Sequence, residues 1–181
     1  GDTRYLLQLG LDCLRNTDRL GLQELMKLAK VDPQYLNEET IGFSIGPRMN
    51  ALGRLDDANA AVELLTTHDL ERARILANRL EALNAERRLL SDQVFKAAED
   101  QLEADPRLLN HAVLILAHDR WPGGVVGIVA NRLVERYSRP VILLHTDDDG
   151  IARGSARSLA GCNITAAIAE HDDLLLGYGG H

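Results

Sequence analysis

The longest stretch without a helix breaker constrains the fold most. Residues 69–105 contain neither glycine nor proline, and their leucines recur at helical spacing, although Arg87 and Arg88 interrupt the apolar stripe. Asp69 is a typical N-cap residue at the start of this stretch. A helix of this length spans roughly 50 Å and usually links two bodies. The pattern therefore predicts a helical part over residues 1–68, a connector helix over 69–106 and a second domain over 107–181.

The residues before the connector are mainly helical in pattern. Helices are predicted over residues 4–16 and 21–30, from Asn37 to Phe43, and from Asp57 to about Thr67. The segment 46–55, GPRMNALGRL, is predicted to be a loop because glycine and proline punctuate it.

After the connector the hydrophobic period changes. Residues 112–117 and 140–145 are apolar runs typical of buried strands, and residues 151–158 are predicted as a third strand. A helix is predicted between the first two strands, and another from Asn163 to about Glu170. The expected fold class is α/β: a helical segment and a long connector helix, followed by a small mixed-sheet α/β domain.

Composition excludes some classes of protein. No apolar run approaches the roughly 18 residues that span a bilayer, and a cytoplasmic protein is expected. Cys13 and Cys162 lack CxxC spacing and are predicted to be buried free thiols. The net charge of −7 argues mildly against binding nucleic acid, but several arginines stand beside glycines rather than among the acidic residues. The chain opens within a helical pattern, which suggests a piece of a longer protein.

The segment GSARS is the first candidate site. Gly154 lets backbone approach an anion, Ser155 can donate a hydrogen bond, and Arg157 offers a fork that matches phosphate oxygens. Ser155 and Arg157 point to the same side of a strand. Arg153 adds a further cation. The alternative is an exposed strand edge with ordinary polar residues.

The segment 46–55 is the second candidate. Arg48, Asn50 and Arg54 on a rigid loop suit a polyanion, whereas the alternative is that these arginines pair with Asp56 and Asp57.

The terminal residues 179–181, GGH, are the third candidate. Two glycines leave the His181 imidazole unobstructed for phosphate binding or proton transfer, and a frayed terminus is the alternative.

No metal site is predicted within the chain. The adjacent histidines and aspartates at 68–69, 118–119 and 171–173 lie at the ends of predicted elements, with no clear second cluster beside them.

Taken in order, these segments resemble one family. The chain carries, successively, GPRMNALGRL, NAERR, WPGGVVGIVANRL, RPVILL, GSARS and GGH. This order is similar to that of the RecJ family, single-strand-specific 5′→3′ DNA exonucleases of the DHH phosphoesterase superfamily. The resemblance covers nearly the whole chain, and the ordered set is far more specific than any one motif.

The resemblance implies an enzyme whose metal centre lies elsewhere. Family members hold two divalent ions, Mn²⁺ or Mg²⁺, in a catalytic domain that contains a DHH triplet, and single-stranded DNA passes between that domain and a DHH-associated domain. This chain has no DHH triplet, so it is expected to hold no metal and to be inactive alone. A single-stranded-DNA-binding protein and a RecQ-type helicase are partners by the same resemblance, which implies a role in DNA repair and recombination.

The resemblance also implies roles for particular residues. Arg48, Asn50 and Arg54 are expected near the DNA path, Ser155 and Arg157 of the GSAR segment at the 5′ phosphate and backbone, and His181 at the scissile phosphate.

The chain departs from the family pattern at two points, and two other functions compete with this interpretation. Pro122 follows Trp121, where family members often have histidine, and the chain ends where relatives continue, so the associated domain is expected to be incomplete. The competing functions are a DHH-family oligoribonuclease or pAp phosphatase and an inactive RecJ-like binding scaffold. An intact upstream DHH triplet would favour an enzyme over a scaffold, and product analysis on long and very short strands would separate the two enzymes.

Overall fold

A computed structural model describes residues 1–146 and 149–180. In chain order its elements are α1 (Asp2–Arg15), α2 (Leu20–Leu28), α3 (Glu38–Thr40), α4 (Gly46–Leu55), α5 (Asn59–Thr66), α6 (Leu70–Ala104), β1 (Leu114–Ala117), α7 (Gly123–Tyr137), β2 (Val141–Thr146), β3 (Ala152–Arg157) and α8 (Ile164–Ala169). Short 3₁₀ turns occur at Pro33–Tyr35, Pro106–Asn110 and Asp172–Leu174. No helix in the described part of the chain is both long enough and apolar enough to cross a membrane.

The long helix α6 is continuous, as its sequence predicts. Asp69 caps its first turn, because the Asp69 carboxylate accepts hydrogen bonds from the backbone N–H groups of Glu71 and Arg72 at 2.8 and 3.2 Å. The chain divides within this helix into two compact units, Gly1–Arg88 and Leu89–His181.

The first unit is helical and has its own core. Leu25 of α2, Leu52 of α4 and Leu64 of α5 are each 0% exposed, and α6 adds Leu76 and Leu80 at 1% and 0%. Each such leucine stabilises the unit by about 2 kcal/mol through burial of apolar surface. This core fixes which faces of α4 and α6 remain available to a ligand.

The second unit is built on a three-stranded sheet in the order β1–β2–β3. Strand β1 pairs with β2 in parallel and β2 pairs with β3 antiparallel, so the sheet is mixed. Helix α7 connects the parallel strands and packs its buried valines with Leu114, Val141 and Leu143 in the core of the unit. The predicted α/β class is confirmed.

The segment 46–55 is a helix, α4, so the prediction of a loop is wrong. Gly46 has helical dihedral angles (φ −53°, ψ −47°), and Pro47 stands in the first turn, where its fixed φ suits a helix. Proline has no N–H to donate to the preceding turn. A π-helical turn at Ile41–Ile45, which leads directly into α4, accommodates the hydrogen bond that Pro47 cannot donate.

The prediction that both cysteines are buried is also wrong. Cys13 and Cys162 are exposed and free. Cys13 lies on α1, whose one buried residue is Leu11, so the cysteine falls on the outer side of the helix. Cys162 lies in the segment between β3 and α8.

Candidate nucleic-acid interface

The strand register brings Ser155 and Arg157 onto one face of the sheet in the second unit. Ser155 lies opposite Leu143 and Arg157 lies opposite Val141, and both β2 residues are 0% exposed. Side chains directly opposite each other in an antiparallel pair share a face. Ser155 and Arg157 therefore project from the face that packs against α7, as their spacing of two predicts.

Helix α7 comes closest to these two side chains at Gly127. A β-carbon built on Gly127 would lie 2.9 Å from Arg157 Nη2 and 3.1 Å from Ser155 Oγ. Arg157 is exposed, and its Nη1 donates a 2.7 Å hydrogen bond to the carbonyl of Ala156. A hydroxyl donor and a guanidinium that converge on one point form an arrangement suited to phosphate oxygens.

Strand pairing within the sheet explains why position 154 is glycine. A β-carbon at this position would lie 2.2 Å from the carbonyl oxygen of Leu143, so only glycine allows β3 to pair with β2 here. The neighbouring Arg153 forms an exposed ion pair with Asp149, with 3.4 Å between Nη2 and Oδ2. A phosphate-binding role for Gly154 remains a prediction.

Arg48 points into the first unit rather than toward solvent. Its side chain is 9% exposed and lies against Glu81 of α6, with Nε 2.5 Å and Nη2 3.3 Å from the two carboxylate oxygens. Its Nη1 also donates to the carbonyl of Ser44 at 2.6 Å. The guanidinium of Arg48 is thus held by protein acceptors on three of its nitrogens, and it braces α4 against α6.

Asn50 and Arg54 lie on the other face of α4. They are four residues apart and both exposed. Of the carboxylates that offered an alternative pairing, Asp56 accepts a hydrogen bond from Arg79 and Asp57 accepts one from Asn59. The structure therefore brings together two of the three residues predicted on this segment and turns the third, Arg48, away from them.

An arginine cluster that the sequence interpretation had not assigned to a site lies beside Arg54. Burial lowers the pKa of the Arg87 guanidinium, and the positive charges of Arg88 and Arg54 lower it further. Arg87 and Arg88 are neighbours on α6, and the charge of Arg54 on α4 also acts on the Arg87 guanidinium. The signal was available in the sequence, because Arg87 and Arg88 interrupt the apolar stripe of the long helix.

Arg87 is held in position by a buried amide. Asn84 is 0% exposed, and its Oδ1 accepts a 2.9 Å hydrogen bond from Arg87 Nη2. Arg88 is exposed, and none of the hydrogen bonds or ion pairs found among residues 1–146 and 149–180 involves its side chain. The arginines of this cluster stand on α4 and α6 of a chain whose net charge is −7.

An open cavity of about 500 Å³ lies where β1 and β2 end and α7 begins. Its lining includes Trp121, Pro122 and His145. The Trp121 ring stacks on His118 with 5.8 Å between ring centroids. Pro122, the residue that departs from the family pattern, is the N-cap of α7 in an extended conformation (φ −65°, ψ 124°) that proline adopts without strain.

The described residues do not fit a pair of divalent metal ions. No group of three or more His, Cys, Asp or Glu side chains that could hold a metal occurs within residues 1–146 and 149–180. His181, the predicted catalytic residue, lies outside the described residues.

Comparison with known proteins gives one family throughout. Residues 110–181 match the model of the DHHA1 domain. The chain is 42% identical over 181 residues to the single-stranded-DNA-specific exonuclease RecJ of Bacillus subtilis, an alignment that covers 99% of this chain and 23% of that protein. It also matches RecJ of Dickeya dadantii at 40% identity, covering 99% of this chain and 32% of that protein.

The solved structures agree with this. The crystal structure of RecJ from Thermus thermophilus in complex with Mn²⁺ superimposes with a TM-score of 0.85 at 34% identity, over 98% of this chain and 26% of that one. The chain thus spans between about a quarter and a third of the length of these relatives.

Proposed function

We propose that this chain, which belongs to the RecJ family, is the part of a single-strand-specific 5′→3′ DNA exonuclease that holds the strand by its phosphates. The relatives it matches are named as single-stranded-DNA-specific exonucleases. The proposal extends that activity to the protein of which this chain is part and assigns the chain itself the task of binding and positioning the strand.

The observation that carries the proposal is the convergence of Ser155 Oγ and Arg157 Nη2 beside Gly127. A 5′-terminal phosphate presents charged oxygens that a hydroxyl and a guanidinium fork recognise together. A backbone phosphodiester carries less charge, so the same pair prefers a strand end. This site therefore selects the 5′-terminal nucleotide.

The arginine cluster of the first unit supports a second phosphate contact. Arg54 and Arg88 are exposed, while Asn84 fixes Arg87 beside them. Guanidinium groups that follow a sugar–phosphate backbone bind without reading the bases. Aromatic residues make up 4% of the chain, so base stacking has few side chains to use and sequence preference is expected to be weak.

The metal chemistry is assigned to residues outside this chain. The RecJ structures that match it were determined with Mg²⁺ or Mn²⁺, and divalent ions of this kind supply an activated water and neutralise the charge of the leaving oxygen. Within this chain, Ser155 and Arg157 orient the strand. The catalytic role of His181 is part of the same proposal and rests on the family resemblance.

We expect the purified chain by itself not to cleave single-stranded DNA with either Mn²⁺ or Mg²⁺. The reason is that its sequence contains no DHH triplet. The assay is release of nucleotides from a 5′-labelled strand, with a protein that includes the upstream motifs as the positive control. Metal-dependent release by the chain alone, and its loss in His181→Ala, would place the metal centre here and contradict the assignment.

Removing one exposed arginine from the cluster is expected to weaken DNA binding in a salt-dependent way. In Arg88→Ala, one phosphate contact is lost, so the slope of log affinity against log salt concentration should flatten by about 0.7 for a single strand. The loss should be equal for strands with and without a 5′ phosphate, because this cluster contacts the backbone. Fluorescence anisotropy at several salt concentrations measures both quantities.

Arg72→Ala is the matched control for that experiment. Arg72 lies on the same helix and is exposed, but its charge is already neutralised by Glu63 through two hydrogen bonds. Its removal should leave the slope unchanged. Equal slopes for wild type and Arg88→Ala, or equal flattening in the control, would remove the cluster from the DNA path.

A further inference from the structure

We infer that Gly127 of α7 is the positioning residue of the phosphate site, and that its missing side chain sets where Ser155 and Arg157 stand. This inference rests on the proposed function of that site. It adds a requirement that neither Ser155 nor Arg157 reveals alone, namely that the helix must approach β3 without a side chain between them.

The three atoms nearest to a β-carbon at Gly127 all belong to Ser155 and Arg157. A β-carbon would meet Arg157 Nη2 at 2.9 Å, Ser155 Oγ at 3.1 Å and Ser155 Cβ at 3.5 Å. The first two contacts are shorter than ordinary van der Waals separations, which start at about 3.5 Å for carbon. Both atoms that would collide are the functional atoms of the proposed site, so an added methyl group displaces these two atoms in particular.

An alanine at this position should be tolerated by the fold. The guanidinium is the far end of a flexible, exposed side chain, and Ser155 Oγ can change rotamer. Alanine also has the higher helix propensity. Gly127→Ala therefore moves the two ligands apart from their present positions while α7 and the sheet remain formed.

Gly123 provides a control on the same helix. Its β-carbon would also collide with a side chain, at 2.7 Å from His145 Nε2, and its three nearest neighbours are all atoms of His145 rather than of Ser155 or Arg157. Gly123→Ala therefore perturbs the packing of α7 on the sheet by a similar steric contact without touching the proposed ligands.

The test measures the ratio of affinities for 5′-phosphorylated and 5′-hydroxyl single strands of one sequence, in the full-length protein with EDTA present so that the strand is bound but not cut. Gly127→Ala should lower this ratio by about threefold to tenfold, since small misplacements of recognition groups are costly. Gly123→Ala should leave the ratio within about twofold of the wild-type value, and the melting temperature of Gly127→Ala should not fall.

A combined variant separates positioning from general damage. If Gly127 acts through Ser155 and Arg157, then Gly127→Ala should have little further effect on the ratio in a background that carries both Ser155→Ala and Arg157→Ala, because the ligands it displaces are already gone. Independent, multiplying losses would overturn the inference, as would an unchanged ratio in Gly127→Ala or an equal loss in Gly123→Ala.

The phosphate site and the role of Gly127 can be tested separately. An unchanged ratio in Arg157→Ala itself contradicts the phosphate site and the inference with it. A selective loss in Arg157→Ala beside a normal ratio in Gly127→Ala contradicts only the role of Gly127.

Discussion

Replacing Arg157 by alanine in the full-length protein is expected to weaken the binding of 5′-phosphorylated single strands by about tenfold to a hundredfold, because a charge-assisted hydrogen bond contributes about 1.5–3 kcal/mol. The same strand with a 5′ hydroxyl should lose much less, since the charge that Arg157 binds is absent from it. Titrations of both strands at one salt concentration, in EDTA, measure the two losses.

Arg157→Lys and a thermal melt are the controls for this result. Lysine should recover only part of the affinity, because a point charge cannot reproduce the guanidinium fork. The competing explanation is that Arg157, which is exposed and bonded to the carbonyl of Ala156, only braces β3. Bracing predicts equal losses for both strand ends together with a lower melting temperature, and that combination would remove Arg157 from the site.

Replacing Arg48 by alanine is expected to have a large effect on stability. The Arg48 side chain is 9% exposed and that of Glu81 is 35% exposed, so the change leaves a partly buried carboxylate without its partner. Breaking a fully buried pair costs about 3–5 kcal/mol, and the partial exposure of Glu81 reduces the expected loss to about 2–3 kcal/mol. The melting temperature should fall by about 5–10 °C in a chain of this size.

Arg54→Ala is the matched control, since Arg54 lies on the same helix but is exposed. It should change the melting temperature little while weakening DNA binding, whereas Arg48→Ala should lower the melting temperature and, well below that temperature, retain most of its DNA affinity. A stable Arg48→Ala variant with impaired binding would show that Arg48 contacts the strand, as the family resemblance implies.

The elements with a strong local signal were predictable from the sequence. Helix α6 follows from an uninterrupted helical period with Asp69 as its cap, and the three strands follow from short apolar or alternating runs between turn residues. The shared face of Ser155 and Arg157 required only the two-residue period of a strand.

Features that depend on distant parts of the chain were not predictable in this way. The segment 46–55 contains two glycines and a proline, and these residues suggest a loop. The sequence does not show that a π-helical turn precedes Pro47 and accommodates a residue that cannot donate a backbone hydrogen bond. Which side of α4 faces inward follows from its packing against α5 and from the ion pair of Arg48 with Glu81 of α6, so the separation of Arg48 from Arg54 could not be read from spacing within a supposed loop.

The contacts of Arg48 and Gly127 were also not predictable, because each joins residues that are far apart in the sequence. Glu81 is 33 positions from Arg48, and many carboxylates in the chain could have been its partner. Gly127 lies 28 or more positions before the side chains it accommodates, and in sequence it is one small residue among the apolar residues of α7.

We propose that the chain recognises the phosphate at the 5′ end of a single strand. The most direct test compares one oligonucleotide carrying its terminal phosphate at the 5′ end with the same oligonucleotide carrying it at the 3′ end, bound to the full-length wild-type protein in EDTA. The two ligands have equal charge, so non-specific attraction is the same for both. If the chain binds the 5′ phosphate, it should prefer the 5′-phosphorylated strand by about tenfold or more; equal affinities for the two strands would rule out recognition of the 5′ phosphate.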